Sequence, residues 1–121
     1  MVEKDPTGRD PKQGGAKLDA GKNPIFQGVL SYFPRALEAV SIVSFEGAKK
    51  YSWKGWESVP DGVNRYSDAL GRHLLEEGKG NLYDNAAGGT NLLHAAQICW
   101  NALARLELML KSGISVITLE K

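Results

Sequence analysis

The sequence predicts an all-α fold: a small helical bundle of three main helices, with a mobile N-terminal arm and a short extended C-terminal tail. Three observations carry this reading. Three long stretches repeat apolar residues at helical rather than alternating spacing. Start and stop residues, Pro34, Asp61 and Thr90 at or before their starts and Gly47, Gly78 and Gly113 close to or after their ends, punctuate the same stretches. Only Ile114, Val116, Ile117 and Leu119, at the end of the chain, have the composition of an extended segment.

The first fifteen residues are polar and broken by Pro6, Gly8, Pro11, Gly14 and Gly15, a composition that buries too little apolar surface to offset chain ordering. They form the expected arm (1–15), and residues 16–121 form one domain. Lys17-Leu18-Asp19-Ala20-Gly21-Lys22 reads as a solvated turn or as the edge of an anion site. Pro24, Ile25, Phe26, Val29, Leu30, Tyr32 and Phe33 follow as an apolar segment with a short helical turn.

The first helix starts at Pro34, where the missing N–H costs nothing, and runs to about Lys49. Its apolar residues Leu37, Val40, Ile42, Val43 and Phe45 wrap more than one face. Three helices cover only part of such a surface, so a homo-oligomer is expected. Lys49 and Lys50 either compensate the helix C-terminus or face a phosphate. In the loop that follows, Trp53 and Trp56 are anchors on the core or platforms for a base.

The second helix starts at Pro60-Asp61, with Asp61 as N-cap, and stops near Glu77. Tyr66, Leu70, His73 and Leu74 form its apolar face. Arg65, Asp68, Arg72 and Glu76 form a charged stripe suited to weak intrahelical pairs. His73, on an apolar face, reads as a core histidine with one hydrogen-bond partner.

The third helix, from about Asn91 to Lys111 with Thr90 or Asn91 as cap, is launched by the Gly-rich turn from Asp84 to Asn91. Leu92, Leu93, Ala96, Trp100, Leu103, Leu106 and Leu110 are expected to supply its packing. His94, Gln97 and Asn101 share a polar face that is either a pocket wall or a set of buried hydrogen bonds.

Composition limits the function. In 121 residues, Lys+Arg of 15 against Asp+Glu of 14 leaves almost no net charge, which excludes a dedicated nucleic-acid polymer binder but admits a small phosphorylated ligand. The lone Cys99 lies in a helical pattern and reads as a small core residue, with no disulfide framework and no cysteine zinc site. No secretory leader is visible and no run approaches the ~20 apolar residues of a membrane span, so no membrane partner and a cytoplasmic location are expected. Phosphate-loop, dinucleotide, zinc-protease and serine-elbow motifs are all missing. The remaining chemistry lies in Glu46, Asp68, Arg72, His73, Asp84, His94 and Asn101; Asp68 and Asp84 suffice for magnesium if substrate phosphates and waters complete the shell.

The ordered series Lys17–Lys22, Glu46-Gly47-Ala48-Lys49-Lys50-Tyr51, Trp56, Arg65 to Asp68, Arg72-His73-Leu74, Asp84, Gly88, Leu92-Leu93-His94-Ala95-Ala96 and Asn101-Ala102-Leu103 resembles a phage-encoded family of dATP/dGTP diphosphohydrolases. More distantly it is similar to the all-α MazG-like pyrophosphohydrolases. The resemblance covers roughly residues 16 to 110. It implies hydrolysis of purine deoxynucleoside triphosphates to the monophosphate and pyrophosphate with Mg²⁺ or Mn²⁺, in the host cytoplasm where the protein is phage-encoded. The roles it suggests are metal binding by Asp84 and Asp68, and water activation by His94 or His73 with Asp84. Lys22, Lys49, Lys50 and Arg72 would hold phosphate, and Trp53, Trp56 and Asn101 the rest of the nucleotide. Ala86 and Asn91 stand where the family pattern carries a glutamate and a histidine. The alternative is a non-catalytic sponge for a nucleotide or cyclic nucleotide that counters host signalling.

Overall fold

The computed structural model describes residues 2–118; Met1 of the expected arm and Leu119 of the expected tail lie outside them. The described chain is helical, with one isolated antiparallel bridge, Tyr83 to Leu93, in place of any strand. It divides into two compact units, one ending at Pro34 and the other beginning at Arg35.

The first unit is built from turns. Asp5 accepts hydrogen bonds from the Thr7 amide and hydroxyl and from the Arg9 amide, and the Ala20 amide donates to the Lys4 carbonyl at 2.8 Å. The short helical turn expected in the apolar segment is a π-helical turn, Phe26–Leu30. Ile25, Phe26, Leu30, Tyr32 and Phe33 are all at least half exposed.

The second unit holds the three helices, α1 (Pro34–Lys50) from its second residue on, α2 (Gly62–Gly78) and α3 (His94–Lys111). The start of α1 and the stops of α2 and α3 fall where the proline and glycines place them; Gly113 takes φ +100°, a conformation that favours glycine. Helices α2 and α3 pack as an antiparallel pair. At one end a Cβ on Gly62 would stand 2.7 Å from Leu108 Cδ1, so the glycine permits the close approach. At the other end His73 meets His94.

Two helix starts differ from expectation. Asp61 precedes α2 but caps nothing: its backbone is left-handed, φ +55°, whereas a capping residue is extended, and its carboxylate accepts instead from Asn64 Nδ2 at 2.9 Å. Helix α3 starts at His94, not Asn91, because residues 91–93 pair with the chain before the turn. The Asp84 amide donates to the Leu92 carbonyl, the Asn91 amide to the Asp84 carbonyl, and the His94 amide to the Leu82 carbonyl at 2.9 Å. This last bond satisfies a first-turn donor that a side-chain cap would otherwise serve.

The expected packing of α3 is met at Trp100, which lies edge-to-face against Tyr66 of α2, but not at its later leucines. Its buried residues are His94, Gln97, Asn101 and Ala104, the face against α2, while Leu103, Leu106 and Leu110 are 48%, 47% and 39% exposed. Cys99 lies away from that seam and is exposed rather than a core residue. Helix α1 contains no buried residue, and its tie to α3 is one hydrogen bond from Trp100 Nε1 to Ser44 Oγ at 2.9 Å. Edge-to-face contacts among Trp56, Tyr66 and Trp100 anchor the 3₁₀ turn Gly55–Ser58 onto the helix pair. Beside them Val40, Ser44, Trp56, Trp100, Leu103 and Leu106 line an apolar groove.

On α2, Leu74 is 53% exposed, so the apolar face is narrower than the sequence suggests. Among the described residues Arg65, Asp68, Arg72 and Glu76 form no ion pairs with one another; Arg65 Nη1 reaches the Pro60 carbonyl and Glu76 pairs with Lys79 at 3.4 Å. No helix among the described residues is long and apolar enough to cross a membrane. Residues 116 and 117 form a bend, and residues 114–118 show no strand pairing.

Candidate functional site

A cleft of about 380 Å³ opens at the end of the α2–α3 pair and is lined by Arg72, His73, Leu75, Glu76, Asp84 and His94. Helix α2 supplies the first four at helical spacing. The turn before α3 supplies Asp84, and the first residue of α3 supplies His94. Four residues singled out from the sequence, Arg72, His73, Asp84 and His94, therefore converge.

The imidazoles of His73 and His94 meet with their Nδ1 atoms 2.8 Å apart. A hydrogen bond at that distance needs one protonated and one bare Nδ1. In the neutral pair the donor ring then has a bare Nε2 and the acceptor ring an Nε2–H, so the pair offers a proton acceptor and a proton donor. Burial lowers the His73 pKa, and the neighbouring His94 and Arg72 push it the same way against the opposing pull of Asp84. His94 is 3% exposed.

Asp84 is held by its own loop. Thr90 donates from both its amide and its hydroxyl to Asp84 Oδ2, each at 3.1 Å. Burial raises the Asp84 pKa, but the two Thr90 hydrogen bonds and the His73 and His94 rings outweigh it, so the carboxylate lies below its ordinary range. Gly89 lets the loop close: a Cβ there would collide with the Asp84 carbonyl oxygen and stand 2.8 Å from Oδ1. The left-handed backbone at Gly88 (φ +82°) and Asn91 (φ +65°) suits glycine and asparagine.

The other sequence candidates lie elsewhere. Asp68 is exposed on α2, one turn before Arg72, and does not line the cleft. Lys49 pairs with Glu46 at 3.0 Å and lies over the Phe45 ring, while Lys50 lies over Tyr51. Trp53 is 66% exposed beside Phe45, and Trp56 belongs to the aromatic cluster. Asn101 is buried and donates to the Gln97 carbonyl of its own helix at 2.7 Å. The two readings of the polar stripe thus divide along it: His94 is a cleft wall, and Gln97 and Asn101 are buried in the seam. Lys22 belongs to the first unit and pairs with Glu3 at 3.1 Å.

Sequence reasoning missed Glu76 as a cleft residue and Thr90 as the partner of Asp84. The usable signal was a threonine immediately after Gly88-Gly89, within reach of an aspartate that opens the same turn.

Among the described residues no group of three or more His, Cys, Asp or Glu side chains is placed to hold a metal ion by itself. Magnesium carried by a phosphate chain needs only one or two protein carboxylates. No hydrogen bond among the described residues engages Asp84 Oδ1, so Asp84 could supply one such ligand, whereas Glu76 has its oxygens on Lys79 and Asn81.

The fold and cleft define a helical domain with a histidine pair and a carboxylate at one end. The family profile for dATP/dGTP diphosphohydrolase, N-terminal, matches residues 12–115. The chain belongs to this family. It is similar to a protein of Salmonella phage PMBT28 named dATP/dGTP diphosphohydrolase, 35% identical over 82 residues, which is 68% of this chain and 26% of the relative. The matched segment thus spans about a quarter of that relative's length. No solved structure matches the chain.

Proposed function

We propose that the chain hydrolyses dATP or dGTP to the monophosphate and pyrophosphate in the cleft between His73, Asp84 and His94. The observation that carries this is the Nδ1 contact of the two histidines beside a fixed carboxylate, on a chain whose family is described by that activity. In the reaction the oxygen of a water attacks the α-phosphorus, the bond from that phosphorus to the bridging oxygen breaks, and pyrophosphate leaves. The proton of the water goes to the bare Nε2 of the donor imidazole. The resulting imidazolium still donates through Nδ1 to its partner, now as a charge-assisted bond, so the pair accommodates one proton without losing its geometry.

Arg72 is the phosphate-binding cation of the cleft. Asp84 would hold a divalent ion carried in by the triphosphate, and such an ion would neutralise charge on the phosphates and polarise phosphorus. Incubation with dATP, dGTP and Mg²⁺ while following pyrophosphate release tests the reading. Turnover in wild type that is abolished in D84A is expected; no turnover in wild type, or full turnover in D84A, sinks it.

A second reading is favoured by Ala86 and Asn91, which leave the turn before α3 without further acid or imidazole. In it the same cleft sequesters a nucleotide without cutting it. Calorimetry that finds tight binding, with the nucleotide recovered intact, selects this reading.

We also propose that the chain works as a homo-oligomer. Ile42 and Phe45 on α1 and Leu103, Leu106 and Leu110 on α3 are 39–52% exposed, and Ala104 is the one buried hydrophobic residue among the described residues. A second copy covering these faces supplies the missing apolar burial. Light scattering at working concentration that gives the monomer mass removes this proposal.

A further inference from the structure

We propose that Thr90 is the positioning residue of the cleft: its hydroxyl locks the rotamer in which the Asp84 carboxylate lines the cleft with His73 and His94. The inference deepens the hydrolase reading and rests on it for its kinetic consequence, but its geometry stands alone.

The Thr90 hydroxyl sits in a chain of hydrogen bonds. It donates to Asp84 Oδ2 at 3.1 Å and accepts from the Leu92 amide at 3.2 Å, so the position of its oxygen is set from both sides. The Thr90 amide donates to the same Oδ2 at 3.1 Å. Two donors on one carboxylate oxygen fix the side-chain rotamer. The backbone bonds between Asp84 and residues 91–92 would close the turn without the hydroxyl. What the hydroxyl adds is the aim of the carboxylate beside His73 and His94, and not the fold of the loop. A carboxylate with one donor removed gains rotational freedom, and misplacement on the order of 1 Å costs a reaction about a hundredfold.

The experiment compares T90V, which keeps the volume and loses the hydroxyl, with T90S, which keeps the hydroxyl. Wild type and variants are followed by pyrophosphate release from dATP or dGTP with Mg²⁺, by circular dichroism melting, and by the ring-proton NMR signals of His73 and His94 at neutral pH. In T90V, kcat is expected to fall about tenfold or more with KM changed by less than about threefold. T90S restores kcat, and both variants keep the wild-type circular dichroism spectrum. The histidine signals move in T90V and return in T90S. Wild-type kcat in T90V, or a loss in T90S equal to that in T90V, overturns the proposal. Should wild type show no turnover, the hydrolase reading fails by itself and the NMR comparison decides for Thr90: unmoved histidine signals in T90V overturn it, and a shift reversed in T90S upholds it. Should T90V fail to fold, T90A takes its place in the same comparison.

Discussion

His73 and His94, 21 positions apart in the chain, share one hydrogen bond between their Nδ1 atoms at 2.8 Å. Each ring satisfies the other where the α2–α3 seam opens into the cleft, so neither histidine is replaceable alone. Removing one partner of a buried hydrogen bond leaves the other to bear a desolvation cost of about 1–3 kcal/mol. We expect H73A to destabilise the domain within that range and H94A, whose ring is the more buried, to cost at least as much. In a double-mutant cycle read by chemical denaturation, the two losses should be non-additive by about 0.5–3 kcal/mol. Simple additivity would show that the pair is not formed in solution.

The same pair makes stability depend on pH. The His73 pKa is lowered from the ordinary value of 6.5, so the unfolded chain binds its proton more readily than the folded one. Its contribution is fully present above about pH 6.5 and is lost as pH falls through the folded value. Asp84, lowered from 3.8, adds a second loss that begins only below about that pH and proceeds as pH falls through its folded value. Denaturant midpoints measured from pH 8 downward should decline in these two stages in wild type. H73A should lack the first.

The loop offers a sharper test. G89A places a methyl group against the Asp84 carbonyl and carboxylate, neither of which is the free end of a flexible chain. Overpacking of this kind costs about 1–3 kcal/mol, and here it also turns Asp84 away from the histidines. Pyrophosphate release should fall in G89A by more than in an alanine substitution at the exposed Gly78, measured side by side. Equal effects would remove the steric argument.

Gln97 gives a prediction of opposite sign. Its Nε2 is buried with no hydrogen-bond partner among the described residues. Replacing such a donor with an apolar group of similar shape is close to neutral or stabilising, whereas burying it unpaired costs about 1–3 kcal/mol. Q97M should therefore raise the melting temperature or leave it unchanged. A fall of several degrees would mean that the amide has a partner in solution.

The sequence read well where one local rule governed. Pro34, Gly78 and Gly113 bracket helices by backbone chemistry that acts within a turn, and the α-helical class follows from periodicity. It read poorly where two segments compete for the same backbone groups. Thr90 and Asn91 have the composition of caps, yet pairing of Asp84 with residues 91–92 delays α3 until His94. Periodicity also identified the polar and apolar faces of α3 without revealing which one faces inward. His94, Gln97, Asn101 and Ala104 are the buried residues of α3, while the bulky Leu103, Leu106 and Leu110 stay exposed on the side where α1 packs loosely; at the far end of the seam Gly62 of α2 makes room for Leu108 of α3. Of the site, the residues near one another on α2 and around the turn were legible. Lys49, Lys50 and Asn101 were not separable from the cleft residues, because a lysine at a helix end and an amide on a polar face carry no information about direction.

A polar seam has a calorimetric consequence. Unfolding exposes apolar surface in most domains, and the water that orders around it raises the heat capacity by about 12–15 cal/mol/K per residue. Here the four residues that α3 buries most deeply release imidazole and carboxamide groups, whose hydration acts in the opposite direction, and Ala104 is the one hydrophobic residue among them. The heat-capacity increment of the lone chain should fall below that per-residue norm, giving a shallow stability curve that changes little between cold and warm conditions.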